Sequence, residues 1–253
     1  KPQGLLLVTG PVGSGKTTTL YSALQHISQS RGRTTSLVTL EDPIELQLPF
    51  ATQTQINAQV GMSFAQTLRS VLRQDPNVLM LGEIRDPETA EIAAQAGLTG
   101  HLLLTTVHAN TAVGTFARIT EMGVEPFILA SAAIGALSQR LVRTLCTNCR
   151  KVAPPDVFIV ERLRRLGVEH LHGEYFEPVG CEFCEGQGFT GRTPIAELLV
   201  VTPEIRQGIH ERLPGEQLHE LAVSRGMAPL VRSGLACAQR GITSLSEVVR
   251  VVG

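Results

Sequence analysis

Residues 10–17 constrain the fold of this chain more than any other segment. They read Gly-Pro-Val-Gly-Ser-Gly-Lys-Thr, which satisfies every defined position of the phosphate-loop pattern G-x-x-x-x-G-K-[ST]. The apolar run Gly4–Val8 before them is typical of a buried strand, and residues 17–27 after them have a helical pattern. A strand, a glycine-rich loop and a helix in this order predict an α/β fold with a P-loop core.

The residue types in this loop suit the phosphates of ATP and its Mg²⁺ ion. Backbone N–H groups of the loop and of the helix N-terminus form a concave anion site, and glycines permit a close approach. Lys16 would reach the β- and γ-phosphates, and the Thr17 hydroxyl would bind Mg²⁺. The predicted nucleotide-binding residues here are Gly10, Pro11, Val12, Gly13, Ser14, Gly15, Lys16, Thr17 and Thr18.

Composition narrows the classes of partner. The 253 residues are 43% hydrophobic, which is enough for a substantial core in one large domain or two smaller ones. A net charge of −1, without a run of about five like charges, argues against a nucleic-acid partner. No apolar stretch reaches about 18 residues and no signal-peptide pattern is present, so we expect any membrane contact to be peripheral.

The first part of the chain alternates apolar runs with helical patterns, which predicts βαβ units and a largely parallel sheet. A helix is expected to end before Asp75, another to begin at Asp86-Pro87 with Asp86 as N-cap, and a long apolar helix to cover Pro126–Leu141. The expected strands are Gly4–Val8, Ser36–Leu40, Asn77–Leu81 and His101–Thr106.

The character of the chain changes twice after this region. Residues 146–192 carry four of the five cysteines and several glycines, and the residues after them look helical. We therefore expect three parts: a core at 1–145, a cysteine-containing subdomain at 146–192 and a C-terminal helical subdomain at 193–253.

Acidic residues follow two of the predicted strands. Hydrolysis needs a carboxylate near Mg²⁺ and a group that orients or deprotonates the attacking water. Glu83, just past the apolar run that ends at Leu81, is the predicted Walker B acid. Glu41, Asp42 and Glu45 follow another strand, but spacing alone does not rank them, and a solvated acidic turn is the alternative.

Histidines and arginines supply further candidates. His101 and His108 bracket the fourth predicted strand, where a histidine could sense a γ-phosphate or be structural. Arg69 and Arg73 share one helix face, and with Arg85 they could compensate phosphate charge, in the same site or in a neighbour's. The alternative for the two helical arginines is a solvated surface.

The cysteines form two C-x₂-C pairs, Cys146 with Cys149 and Cys181 with Cys184, separated by 31 residues. Two such pairs supply the four thiolates of a closed tetrahedral Zn²⁺ site, which is structural rather than catalytic. Disulfides, a redox pair and an iron–sulfur cluster are the alternatives, and the lack of a secretory segment argues against disulfides. Cys237 is expected to be a small buried residue.

Five segments together resemble the secretion ATPases of the type II secretion and type IV pilus superfamily, over essentially the whole chain. They are the phosphate loop and residues 41–45, 68–76, 82–86 and 99–101. The resemblance implies a RecA-like P-loop NTPase core that works in a ring, usually a hexamer. It implies that Glu45 is the catalytic base, Glu83 the Walker B acid and His101 the His-box histidine, with Lys16 and Arg85 contacting the nucleotide.

The resemblance also implies a function and a location. ATP hydrolysis would power pseudopilin assembly and protein export in a bacterial type II secretion system. The chain would be a cytoplasmic motor that meets an inner-membrane platform and a cytoplasmic adaptor at the inner membrane. The four cysteines, typical of assembly and not of retraction ATPases, leave a type IV pilus extension ATPase as the near alternative.

Two other classes are less favoured. A DNA-translocating motor should show a basic stripe, and a non-hydrolysing scaffold would have little reason to carry both Glu45 and Glu83. The family also places a further domain before the core, so we expect the complete protein to be longer.

Overall fold

The main element of the fold is a seven-stranded β-sheet. The computed structural model describes residues 3–32 and 35–253, and Lys1, Pro2, Arg33 and Thr34 lie outside the described residues. The strand order is β3-β2-β4-β5-β1-β6-β9, and the five neighbouring pairs from β3 to β6 are parallel. In chain order these strands are β1 (Gly4–Thr9), β2 (Leu37–Glu41), β3 (Thr52–Gln55), β4 (Val78–Leu81), β5 (Leu102–Val107), β6 (Ala133–Leu145) and β9 (Phe189–Val200).

The predicted α/β fold with a mainly parallel sheet is confirmed. Each of the four strands expected from sequence is present, as β1, β2, β4 and β5. The observed bounds of β1 and β4 differ from the prediction by one residue at one end, and those of β2 and β5 by one residue at both ends. Nearly all residues of these strands are buried, because a parallel sheet is covered on both faces.

Alternate residues of the strands face opposite sides of the sheet. In β4, Leu79 and Leu81 belong to one apolar cluster and Met80 to another. The helix α1 (Lys16–Arg31) packs on the Met80 side. The other side is covered by α2 (Phe64–Leu72), α3 (Pro87–Leu98), α4 (Ala112–Glu121) and α5 (Pro126–Ala132).

Two helix boundaries agree with the sequence prediction. The Asp86 carboxylate accepts a hydrogen bond from the Thr89 backbone N–H at 2.8 Å, and Pro87 occupies the first helical position of α3. α2 ends at Leu72, shortly before Asp75, whose backbone is left-handed with φ of 52°. The chain therefore turns into β4 where the Asp-Pro pair predicted it would.

The prediction of one helix over Pro126–Leu141 is wrong. α5 ends at Ala132, and β6 begins at the next residue and pairs with β1. Pairing with β6 satisfies the second edge of β1, and this tertiary gain outweighs the helical propensity of an alanine-rich segment. The Arg206 guanidinium donates to the carbonyls of Ala130 and Ser131, which are the last acceptors of α5.

The expectation of helix throughout 193–253 is wrong at its start, because β9 continues to Val200. Burial alternates along this strand, with Ile195 and Leu199 buried and Leu198 exposed, which is the period-two pattern of a strand. The helices that follow it are α7 (Pro203–His210), α8 (Gly215–Ser224), α9 (Leu230–Gln239) and α10 (Leu245–Val252).

Two compact units divide the chain. One comprises Lys1–Val12, Lys16–Ser138 and Leu198–Met227, and the other comprises Gly13–Gly15, Gln139–Glu197 and Ala228–Gly253. The units do not follow the boundaries expected at residues 145 and 192, so the three-part division stays a prediction.

The second unit has its own small core. α6 (Val157–Arg165) packs with α9 and α10 around Leu163, Val231 and Val248. The strands β7 (Lys151–Val152) and β8 (Phe176–Glu177) form a short antiparallel pair. Cys237 is 6% exposed, as expected for a small buried residue.

A buried carboxylate joins two elements of this unit. Glu247 on α10 accepts hydrogen bonds from the Nε and Nη2 of Arg143 at 3.1 and 2.8 Å and from the Nε of Arg250 at 2.7 Å. Burial alone would raise the pKa of Glu247, but the bonds from Arg250 and Arg143 outweigh it and lower that pKa to about 2.

Among the described helices, none is both long and apolar enough to cross a bilayer.

Candidate functional site

The phosphate loop begins at the carboxyl edge of the parallel sheet, where β1 ends. The Thr9 hydroxyl donates to the Ala109 carbonyl at 2.6 Å and accepts from the Ala109 N–H at 2.8 Å, which ties β1 to the segment after β5. Gly10 follows with φ of 147°, a backbone angle that side-chain-bearing residues rarely adopt. Ligands of open α/β sheets bind at this edge.

Lys16 is held by the loop itself. Its Nζ donates to the carbonyls of Gly10 at 2.9 Å and Pro11 at 3.1 Å. The ammonium group therefore lies under the first residues of the loop, where it can face an anion bound there. Val12 at the tip is 90% exposed, and Thr18 is also exposed.

Thr17 contacts one of the three acidic residues that spacing could not rank. Its hydroxyl Oγ1 donates to Oε1 of Glu45 at 3.3 Å. Glu45 and Asp42 are exposed, whereas Glu41 is 2% exposed. The structure thus brings Glu45 to the loop and turns the Glu41 side chain into the interior.

Glu41 is satisfied by neutral donors. The Thr39 hydroxyl donates to its Oε1 at 2.5 Å, the Gln53 amide donates to the same oxygen at 3.0 Å, and the Tyr21 hydroxyl donates to Oε2. Burial and this carboxylate raise the pKa of Tyr21 to about 12, so the phenol remains a donor. A buried carboxylate with several donors is a structural anchor.

Glu83 follows β4 at the same edge of the sheet. Its carboxylate pairs with Arg85, and its Oε2 lies 3.5 Å from Nε2 of His108. The hydrogen bond to Glu83 raises the pKa of Arg85. Glu83 therefore lies at the same edge of the sheet as the phosphate loop, and Glu45 contacts the loop through the Thr17 hydroxyl.

Hydrogen bonds lock the strand ends that carry these acids. The Thr106 hydroxyl of β5 donates to the Gly82 carbonyl at 2.7 Å, and the Gly82 N–H donates to the Leu40 carbonyl at 2.8 Å. A Cβ on Gly82 would lie 3.3 Å from that carbonyl oxygen, so only glycine fits without a shift. The close approach places Glu83 and the acidic segment on adjoining strand ends.

The other predicted residues lie elsewhere. His101 precedes β5 at the amino edge of the sheet, where its carbonyl accepts from the Gly4 N–H, whereas the phosphate loop is at the carboxyl edge. Within one chain His108, not His101, shares an edge with the loop. Arg69 pairs with Glu88 at 2.5 Å on an exposed surface, and Arg73 donates to the Ser70 hydroxyl.

The middle of the loop belongs to the second unit. The Gln139 side-chain amide donates to the Ser14 carbonyl at 2.6 Å, and a Cβ on Gly15 would lie 3.2 Å from that amide nitrogen. Gly13 and Gly15 have φ of 76° and 83°, which favours glycine. Gln139 therefore holds the loop backbone at Ser14 and Gly15, a role that the sequence pattern did not indicate.

The four predicted cysteine ligands lie together in the second unit. Their sulfurs all lie within 4.8 Å of one another, with Cys146–Cys181, Cys149–Cys184 and Cys181–Cys184 distances of 3.9, 3.8 and 3.7 Å. Sulfurs about 2.3 Å from a tetrahedral zinc are about 3.8 Å apart, so the cluster has the dimensions of a Zn²⁺ site.

The backbone around the cluster favours thiolates. The Cys181 and Gly188 N–H groups donate to the Cys184 sulfur at 3.2 and 3.1 Å, and the Gly180 N–H donates to Cys149 at 3.3 Å. Burial opposes ionisation of Cys184, but these backbone donors outweigh it and lower its pKa to about 6. Burial raises the pKa of the Cys146 thiol to about 11, so a bound cation would favour its thiolate form.

The protein family described as "Type II/IV secretion system protein" matches residues 1–250. The chain belongs to this family. Type II secretion system protein E of Aeromonas hydrophila is 50% identical over 252 residues, which are 99% of this chain and 49% of that protein. The type IV pilus assembly ATPase PilB of Thermus thermophilus is 47% identical over 252 residues, 98% of this chain and 28% of that protein.

A solved structure shares the fold of this chain. The crystal structure of the pilus retraction motor PilT with bound ADP aligns with a TM-score of 0.69 at 29% identity, covering 99% of this chain and 61% of that one. The chain spans about half the length of its type II secretion relatives.

Sequence reasoning missed several residues of the candidate site. Tyr21, Thr39 and Gln53 surround Glu41, and Gln139 holds the phosphate loop. Only Tyr21 offered a signal, because it lies four residues after Thr17 on the same helix face.

Proposed function

We propose that this chain is the ATPase core of a type II secretion motor, with a RecA-like P-loop core that binds and hydrolyses Mg-ATP. The observation that carries the proposal is the contact between the Thr17 hydroxyl and the Glu45 carboxylate, with Glu83 on the neighbouring strand end. A phosphate loop alone only binds a nucleotide, whereas two positioned carboxylates can also support hydrolysis.

Each residue has a proposed role. Lys16 and the loop N–H groups bind the phosphates, and Thr17 with Glu83 would hold Mg²⁺, which when bound neutralises charge on the phosphoryl oxygens. Glu45, exposed and next to Thr17, orients and deprotonates the attacking water. Arg85 pairs with Glu83 and His108 lies beside it, which supports a proposed role for both in contacting the γ-phosphate. His101, at the amino edge, would serve the nucleotide only through a neighbouring chain.

The cysteine cluster is proposed to hold a structural Zn²⁺. The four sulfurs have the right spacing, and four thiolates leave no open position for catalysis. We keep the three-part division into a core at 1–145, a zinc subdomain at 146–192 and a C-terminal helical subdomain at 193–253 as part of this proposal.

The whole protein is proposed to act as a homo-oligomer at the cytoplasmic face of the bacterial inner membrane. The resemblance to secretion ATPases implies that this oligomer is a hexamer. Its partners would be the platform and adaptor proteins of the secretion apparatus. ATP hydrolysis would drive pseudopilin assembly. A type IV pilus extension ATPase is the alternative, supported by the 47% identity to PilB of Thermus thermophilus.

A pair of lysine variants tests the proposal. Lys16→Ala should abolish ATP binding and phosphate release, because it removes the cation from the phosphate site. Lys151→Ala is the matched control, since it removes an equal charge from an exposed position on β7. The measurements are nucleotide affinity and Mg²⁺-dependent phosphate release, both made on the full-length protein. Equal activity of the two variants would refute the proposal.

The choice of partner is tested separately. Anionic phospholipid or the platform protein should raise ATP turnover, and DNA should not, given the net charge of −1. Stimulation by DNA alone would instead favour a DNA-translocating motor.

A further inference from the structure

Tyr21 lies one helical turn after Thr17, so both side chains lie on one face of α1. The Thr17 hydroxyl donates to Glu45, and the Tyr21 hydroxyl donates to Glu41. One face of the helix that follows the phosphate loop therefore touches both ends of the acidic segment 41–45.

The phenol contacts the start of the acidic segment. The Tyr21 hydroxyl donates to Oε2 of Glu41, while Thr39 and Gln53 donate to Oε1 of the same carboxylate. Glu41 is the last residue of β2 and the first residue of the acidic segment. The phenol therefore forms a bridge from α1 to the start of the segment that carries Glu45.

The surroundings make this bridge rigid. Tyr21 is 8% exposed and Glu41 is 2% exposed. Gln53 on β3 donates to Glu41 and to the Leu46 carbonyl, each at 3.0 Å, and so holds the segment from the sheet side. The phenol holds the same segment from the helix side, which fixes its main chain relative to α1.

We propose that Tyr21 is the positioning residue of this site: its hydroxyl holds Glu41 at the start of the acidic segment and thereby holds the Glu45 carboxylate at the Thr17 hydroxyl. The inference rests on the proposed function. Because the contacts of the phenol are with the acidic segment, its removal acts on turnover and leaves nucleotide binding intact.

The test is Tyr21→Phe, which keeps the ring in its apolar cluster and removes only the oxygen. We expect kcat for ATP to fall about tenfold or more, while KM and the Kd for Mg-ATP stay within about twofold, because a displaced base weakens only the chemical step. The chain has two tyrosines, and Tyr175→Phe is the matched control. The Tyr175 hydroxyl donates to the His172 carbonyl at 3.1 Å in the second unit, so kcat should not change.

A Tyr21→Phe protein with the kcat of the control overturns the inference. A rise in Kd in step with the loss of kcat also overturns it, since that result reports damage to binding.

If the parent protein does not hydrolyse ATP, the proposed function fails, and a second measurement still decides the inference. Hydrogen exchange of the backbone amides of residues 41–46 should be about tenfold faster in Tyr21→Phe than in Tyr175→Phe. Equal exchange in the two variants refutes the bridge.

Discussion

The hydroxyl of Thr17, on the first turn of α1, donates a hydrogen bond to the carboxylate of Glu45 across 3.3 Å. These residues are 28 positions apart in the chain: Thr17 precedes β2 and Glu45 follows it. Their contact brings the acidic segment next to the residue proposed to bind Mg²⁺. The carboxylate is exposed, so it is accessible to a water molecule.

Glu45→Gln should therefore keep ATP binding and lose turnover by about 100-fold or more, the contribution expected of a general base. The amide keeps the size of the side chain and cannot accept a proton from water. Phosphate release and nucleotide affinity measure the two effects. Glu91→Gln, at an exposed position on α3, is the control, and equal turnover of the two variants would remove Glu45 from the mechanism.

Cys181→Ser should release the metal and lower the thermal unfolding midpoint, because three remaining thiolates do not close a tetrahedral site. Metal analysis of the purified parent protein should find about one zinc per chain. Cys237→Ala removes a thiol outside the cluster and should keep the zinc. A metal-free parent protein that remains folded would contradict the structural role.

Glu247 predicts acid sensitivity in the second unit. Its pKa is lowered from 4.5 to about 2, so its ionised form stabilises the fold above about pH 4.5, and this contribution is lost as the pH falls toward 2. The guanidinium groups of Arg143 and Arg250 are about half exposed, so solvent reduces the gain.

Glu247→Gln should flatten the pH dependence of the free energy of unfolding over this acid range. Denaturant unfolding at several pH values measures it, with Glu161→Gln on the exposed surface of α6 as control. Parallel pH curves for parent and Glu247→Gln would show that the carboxylate does not stabilise the fold.

Arg206→Met should destabilise the first unit by about 1–3 kcal/mol, because the carbonyls at the end of α5 lose a charged donor. Arg118→Met removes only an exposed pair with Glu121 at 3.2 Å and should cost about 1 kcal/mol or less. Chemical denaturation of the two variants gives the comparison. Equal losses would show that the end of α5 does not depend on Arg206.

Sequence reasoning found the strands that are buried on both faces, because such strands are continuous apolar runs. It placed both ends of β4 and β5 to within one residue. It missed β6, whose alanine-rich start looks helical until pairing with β1 is known. The limit is physical, since strand pairing with a distant partner leaves little trace in local composition.

The candidate site shows the same limit. The acids at the ends of β2 and β4 could be placed from chain position, because parallel strands end at one edge. The orientation of each carboxylate could not, since it depends on donors such as Tyr21 and Gln53 that come from other elements. The same holds for His108, which meets Glu83 only through the register of β5 on β4.

Lys16 donates hydrogen bonds to the carbonyls of Gly10 and Pro11. An anion that binds the phosphate loop would have to compete with these internal acceptors, so its affinity would be the difference between two sets of bonds. A polyphosphate would present many oxygens at once, to the lysine and to the backbone amides, and would therefore compete with the carbonyls better than a monovalent ion.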